Sequence, residues 1–207
     1  MNEEYLKFAK EIAYRAGEIM VKYFKGDNGS RYKYDQTIVT KADTEINKYL
    51  IDRVKEKFPT HSVDGEEEQF GKSNYVWVCD PVDGTAMYAR HIPVAVFSLA
   101  LIINGISEIG VVYDAFTNNL YSAIRGKGAY KNDEKINVND TALNDMKSVS
   151  NFDMWPAADF NLYDSIKSLI KNSKSILLSS KFIFSLLSLH TIVDFIIIYE
   201  MCQINFL

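Results

Sequence analysis

The chain has 207 residues, of which 47% are hydrophobic and 24% charged, enough apolar side chain for one good core or two small ones. Its formal net charge of −4 supplies no basic stripe to neutralise phosphates, which argues against nucleic-acid binding. Two cysteines, Cys79 and Cys202, make neither a disulfide framework nor a zinc cluster, so a cytoplasmic protein is expected.

The first twenty residues are charged and amphipathic, without the apolar centre of a signal peptide, so secretion is not expected. From Glu3 to about Phe24, apolar residues recur at Leu6, Ala9, Ile12, Ala13, Ala16, Ile19, Met20 and Tyr23, the spacing of a helix with one buried face. Residues 26–30 break it. The stretch DQTIVTKAD (35–43) reads as a short strand or extended hairpin leading into a second helix, capped by Thr40 or Asp43, with its stripe at Ile46, Tyr49, Leu50, Val54 and Phe58. HSVDGEEEQFGKSN (61–74) reads as a polar, acidic loop, and YVWVC (75–79) as a strand. After an Asp-rich turn come VAVFSLALII (94–103), a hairpin at Asn104-Gly105, then SEIGVVYD, LYSAI and a last strand pair around Asn132-Asp133. Two helices followed by a meander make an α+β domain over residues 1–140. Residues 141–207 are expected to form a separate, partial or divergent C-terminal domain.

That last part differs in composition. All ten glycines lie at or before Gly128, and residues 182–199 are almost continuously apolar. Three explanations stand for residues 176–207: a shortened or frameshifted C-terminus, a compact domain with very apolar strands, or a membrane anchor, for which eighteen residues and a central Asp194 are unfavourable.

The chemistry gathers at WVCDPVDGTAMY (77–88). Asp80 and Asp83, spaced i and i+3 in one turn, can converge with the Val82 carbonyl on an all-oxygen site suited to Mg²⁺ or Mn²⁺. If a helix starts at Gly84-Thr85, backbone N–H groups there can bind a phosphate. A metal beside a phosphate cradle implies metal-assisted ester hydrolysis, although Asp, Pro and Gly also favour ordinary turns. His61, His91 and His190 lack ligand spacing and read as surface or packing residues; Cys79 reads as a small buried residue rather than a nucleophile.

Three motifs in order, VTKAD (39–43), DGEEE (64–68) and WVCDPVDGT (77–85), together with GVVYDAFTNNLYSAIRGKGAYKND (110–133), resemble the inositol monophosphatase family of Mg²⁺-dependent, lithium-sensitive sugar phosphatases. The resemblance runs from about residue 5 to residue 138. It implies the family's layered α/β sandwich, with N-terminal helices, an antiparallel sheet and here an incomplete second domain. It implies metal ligation by Glu66, Asp80, the Val82 carbonyl and Asp83, with Asp80 bridging two ions and Glu67 behind them. Asp43 pairs with Thr85, which polarises the attacking water. The N–H groups of Gly84 and Thr85 hold the phosphate. Catalytic roles thus fall on Asp43, Thr85 and Glu66, with Mg²⁺ as cofactor and Mn²⁺ as an alternative. Inositol monophosphate is the first substrate expected, fructose 1,6-bisphosphate the second and a 3′-phosphoadenosine nucleotide a more distant third. The family's common dimerisation extends the expectation to a homodimer.

Two departures matter. Met87 stands where the family usually carries asparagine, and the family's C-terminal Trp-Asp, whose aspartate completes a second metal site, is absent from the 207 residues. The rival expectation is therefore a non-catalytic remnant that binds Mg²⁺ or phosphate, or that associates with a full-length partner.

Overall fold

The computed structural model describes residues 2–34 and 36–137, together with the backbone of two strands at 149–153 and 175–179. The expectations for the second domain and for residues 180–207, including His190 and Cys202, lie outside the described residues.

Helix α1 (Asn2–Phe24) buries Tyr5, Phe8, Ala9, Ile12, Ala13, Ala16, Ile19 and Met20, so the apolar face read from the sequence is the face that packs. A short hairpin of β1 (Arg31–Tyr32) and β2 (Ile38–Val39) leads into α2 (Lys41–Lys57). Residues 43, 46, 47, 50, 51 and 54 of α2 are buried, a single helical stripe that includes two polar residues, Asp43 and Asn47.

The main sheet has eight strands. β3 (Ser62–Gly65), β4 (Gln69–Phe70), β5 (Tyr75–Asp83), β6 (Val96–Ile103), β7 (Ile106–Asp114), β8 (Asn119–Ile124), β9 (Gly128–Lys131) and β10 (Glu134–Ile136) lie in the order β10-β9-β8-β7-β6-β5-β3-β4. A four-residue helix, α3 (Thr85–Tyr88), follows β5. β11 (Val149–Asp153) and β12 (Ser175–Ser179) pair in parallel in a separate two-stranded sheet. From β5 to β10 the sheet is the antiparallel meander expected.

Two features differ from the sequence reading. The acidic segment 61–74 is not all loop: Ser62–Gly65 pair in parallel with Val76–Cys79, and Gln69–Phe70 fold back antiparallel, so the sheet is mixed. The strand also does not stop at Asp80. Asp80 pairs with Ser98 and Asp83 with Val96, so β5 carries one extra residue against β6 and runs through a bulge. Pro81 sits inside that bulge, where the lack of an N–H costs no ladder hydrogen bond.

Helices α1 and α2 pack on one face of the sheet. The core between them is built on Phe8, Ile12, Met20, Ile46, Leu50, Trp77, Phe97, Leu99 and Leu101, all 1% exposed or less. Each such side chain contributes about 1.5–3 kcal/mol by leaving water. His61 belongs to this layer: it stacks between Phe58 and Tyr75, at ring distances of 4.9 and 4.7 Å, and its Nδ1 accepts a hydrogen bond from the Trp77 indole at 3.1 Å. His91 contacts the Phe24 carbonyl at the end of α1, 2.7 Å away. Both are packing residues, as expected. On the other face of the sheet, Val96, Ala100, Val112, Ala123 and Ala129 form a smaller buried cluster.

Candidate active site

Three elements deliver carboxylates to one place. β3 and β5 run side by side in the same direction, Gly65 opposite Cys79, and the Glu66 N–H continues the ladder to the Cys79 carbonyl at 3.2 Å. The chain leaving β3 therefore carries Glu66 beside Asp80. The first turn of α2 brings Asp43 from the helical layer.

Asp43, Glu66 and Glu67 offer oxygens that all lie within 4.8 Å of one another. Asp80 joins them through a side-chain hydrogen bond to Glu66, and Asp83 is close enough to raise its pKa. The Asp80 carboxyl is held well above the usual carboxylate range by burial first, then by the charges of Asp83 and Glu66, that hydrogen bond, and Asp43. Asp43, 1% exposed, is pushed up to about 7, chiefly by burial. Against them stands the Lys33 ammonium from the β1–β2 hairpin, paired with Glu67 and 3.8 Å from Glu66. Burial lowers its pKa, but the Glu67, Glu66 and Asp43 charges outweigh that and raise it. Crowded hard oxygens, buried at Asp43 and Asp80 and reaching the surface at Glu66, with one ammonium beside them, fit a divalent cation.

Asp43 has a second duty. One of its oxygens accepts from the Thr40 N–H at 2.7 Å and from the Thr40 hydroxyl at 2.5 Å, so it caps the helix that carries it. The other lies 3.5 Å from Thr85 Oγ1. The Thr85 hydroxyl hydrogen is engaged elsewhere, donating to the Val82 carbonyl at 2.7 Å. Asp43 and Thr85, expected to pair, are thus brought together at 3.5 Å with the Thr85 hydrogen directed at Val82 instead. The Val82 N–H donates to Asp80 Oδ1 at 3.2 Å, which fixes the carboxylate within the bulge.

Gly84 joins the strand to α3 at φ 94°, and a Cβ there would lie 2.7 Å from the Val94 carbonyl oxygen, so only glycine fits. α3 is tied down by Tyr88, whose hydroxyl donates to the Met20 carbonyl at 2.6 Å, and by Asn28, whose amide donates to the Ala89 carbonyl at 3.2 Å. Cys79 is fully buried with its thiol pushed well up by burial, then by Asp80, Glu66 and Asp43, so it is no nucleophile. Two residues that the sequence reading did not single out, Lys33 and Asn47, touch the acidic loop.

A two-helix layer on a mixed sheet is a fold shared with solved structures. The suppressor protein suhB from Bartonella henselae superposes with a TM-score of 0.84 over 96% of this chain and 85% of its own, at 20% identity. An IMPase from Thermotoga maritima does so with a TM-score of 0.73 over 84% and 68%, at 26% identity. A sequence model of the inositol monophosphatase family matches residues 1–180, and the chain belongs to that family. It is similar to human inositol monophosphatase 1, with 33% identity over 143 residues, 66% of this chain and 52% of that protein. It is similar also to the inositol-1-monophosphatase of Bacillus subtilis, with 39% identity over 103 residues, 48% of this chain and 39% of that one. The chain thus spans about half the length of the curated relatives it matches. Among the described residues, no helix is long and apolar enough to cross a membrane.

Proposed function

We propose that the protein hydrolyses a small phosphomonoester with Mg²⁺, inositol monophosphate first among substrates and fructose 1,6-bisphosphate next. The observation that carries this reading is the convergence of Asp43, Glu66, Glu67 and Asp80 on one spot, with the carboxyls of Asp43 and Asp80 held above their ordinary range. Kinship supports the substrate class, since the human and Bacillus relatives are named for inositol monophosphate.

Glu66, Asp80, Asp83 and the Val82 carbonyl are the proposed ligands, with Glu67 and Asp43 closing the acidic ring. Mg²⁺ held there supplies charge neutralisation and lowers the pKa of a bound water, and Mn²⁺ has the same preference for hard oxygen ligands. Gly84 and Thr85, at a helix start, present N–H groups without helical acceptors behind them, a fit for phosphate oxygens. The Thr85 hydroxyl oxygen can accept from the attacking water while its hydrogen goes to the Val82 carbonyl, and a Val82 carbonyl engaged as a ligand would free that hydrogen to turn to Asp43 Oδ1, 3.5 Å away. An ionised Asp43 favours that turn. Met87, half-buried beside them, gives the rim an apolar group where the family usually offers an amide.

The alternative reading is a non-catalytic remnant that binds Mg²⁺ or phosphate, or that pairs with a full-length partner. Comparing kcat/KM for inositol 1-phosphate, fructose 1,6-bisphosphate and a 3′-phosphoadenosine nucleotide tests the substrate order. A preference for the nucleotide overturns it, and no turnover of any of the three by folded protein in saturating Mg²⁺ favours the remnant.

A further inference from the structure

Asn47 is a polar residue in the middle of the buried stripe of α2, one turn beyond Asp43 and 1% exposed. Its amide makes three hydrogen bonds to the backbone of the acidic loop. Oδ1 accepts from the N–H groups of Glu67 at 3.2 Å and Glu68 at 3.3 Å, and Nδ2 donates to the Glu68 carbonyl at 3.0 Å. The other side of the loop is held by the Glu66 N–H on the Cys79 carbonyl. The loop is thus clamped between α2 and β5. Gly65 makes the approach possible, because a Cβ there would lie 2.1 Å from Asn47 Oδ1.

This clamp opposes a force. The oxygens of Asp43, Glu66 and Glu67 sit within 4.8 Å of one another, and like charges at that range push the loop away from α2 unless something holds it. Lys33 relieves part of the repulsion, but from a hairpin outside the clamp. We infer that Asn47 is the positioning residue of the acidic loop: it holds Glu66 and Glu67 in ligating place before a cation arrives, and so sets divalent-cation affinity. This rests on the reading of the cluster as a metal site.

The test uses the full chain and Mn²⁺ as the probe, with binding followed by electron paramagnetic resonance and amide exchange by mass spectrometry. Asn47→Ala removes the clamp, and Gly65→Ala forces the same contact apart from the loop side. Groups that orient metal ligands typically alter affinity by about 10- to 100-fold, and a weakening of that order is expected in both variants. The Glu67 and Glu68 amides exchange faster, while those of the β5–β6 pair keep their protection. If Asn47→Ala does not fold, Gly65→Ala decides. A folded variant whose Mn²⁺ dissociation constant stays within about twofold of the parent overturns the inference, because loss of stability alone leaves the folded site intact. Failure of the parent chain to bind Mn²⁺ sinks the metal reading instead.

Discussion

Removing the charge of Asp43 stabilises the metal-free protein at neutral pH and above. The side chain is buried, and burial outweighs the two hydrogen bonds from Thr40 to raise its pKa from the ordinary 3.8 to about 7. Below pH 3.8 the folded and unfolded chains both hold the proton. As pH rises above that value the unfolded chain releases it while the folded chain retains it, so stability falls. The loss is complete once pH passes about 7. A displacement of about three pKa units corresponds to about 4 kcal/mol at pH 8. In Asp43→Asn the amide oxygen still accepts from Thr40, and no charge is buried. Denaturant unfolding of parent and variant in chelator, from pH 4 to pH 8, measures the difference. It is small at pH 4 and grows to about 4 kcal/mol by pH 8, an advantage of about 8–16 °C in Tm for a chain of this size. Saturating Mg²⁺ at pH 8 closes most of the gap by stabilising the ionised parent. Parallel stability curves, differing by less than about 1 kcal/mol across the range, refute the reasoning.

Two further outcomes follow from the packing. Gly84→Ala strains a backbone at φ 94° and drives a methyl against the Val94 carbonyl, so its unfolding free energy drops by at least about 1–3 kcal/mol; an unchanged denaturation midpoint contradicts the close approach. Burial lowers the pKa of His61, so the stability it contributes is present above its ordinary 6.5 and lost as pH falls through its folded-state value. Protonating Nδ1 also deprives the Trp77 indole of its acceptor. His61→Phe therefore flattens the decline of Tm between pH 7 and pH 5, and a slope equal to the parent's assigns that decline elsewhere.

Local chemistry made most of this domain legible. α1 follows from spacing alone, because its apolar residues repeat at the helical period over six turns. Asn104 and Gly105, and again Asn132 and Asp133, adopt the positive φ values that tight hairpins need, and both turns were read from those residues. The acidic segment was misread because its strand is set by a distant partner. Ser62–Gly65 has little local β signal, and its pairing with β5 spans fourteen residues. Asp64, Glu66, Glu67 and Glu68 signal solvent, and none of them is buried. The bulge was invisible for a related reason: an Asp-Pro-Val-Asp run reads as a turn, and only the register against β6 shows the strand continuing. Asn47 did leave a trace, since an amide at a buried position of the α2 stripe requires partners. The sequence could not say that those partners are the backbone of the acidic loop.

The most direct test of the central claim is phosphate release from inositol 1-phosphate with and without Mg²⁺, beside an Asp80→Asn variant. The account predicts turnover that requires Mg²⁺ and disappears in the variant, because Asp80 lies at the hub of the carboxylates. Turnover that survives chelation, or persists undiminished in Asp80→Asn, contradicts it.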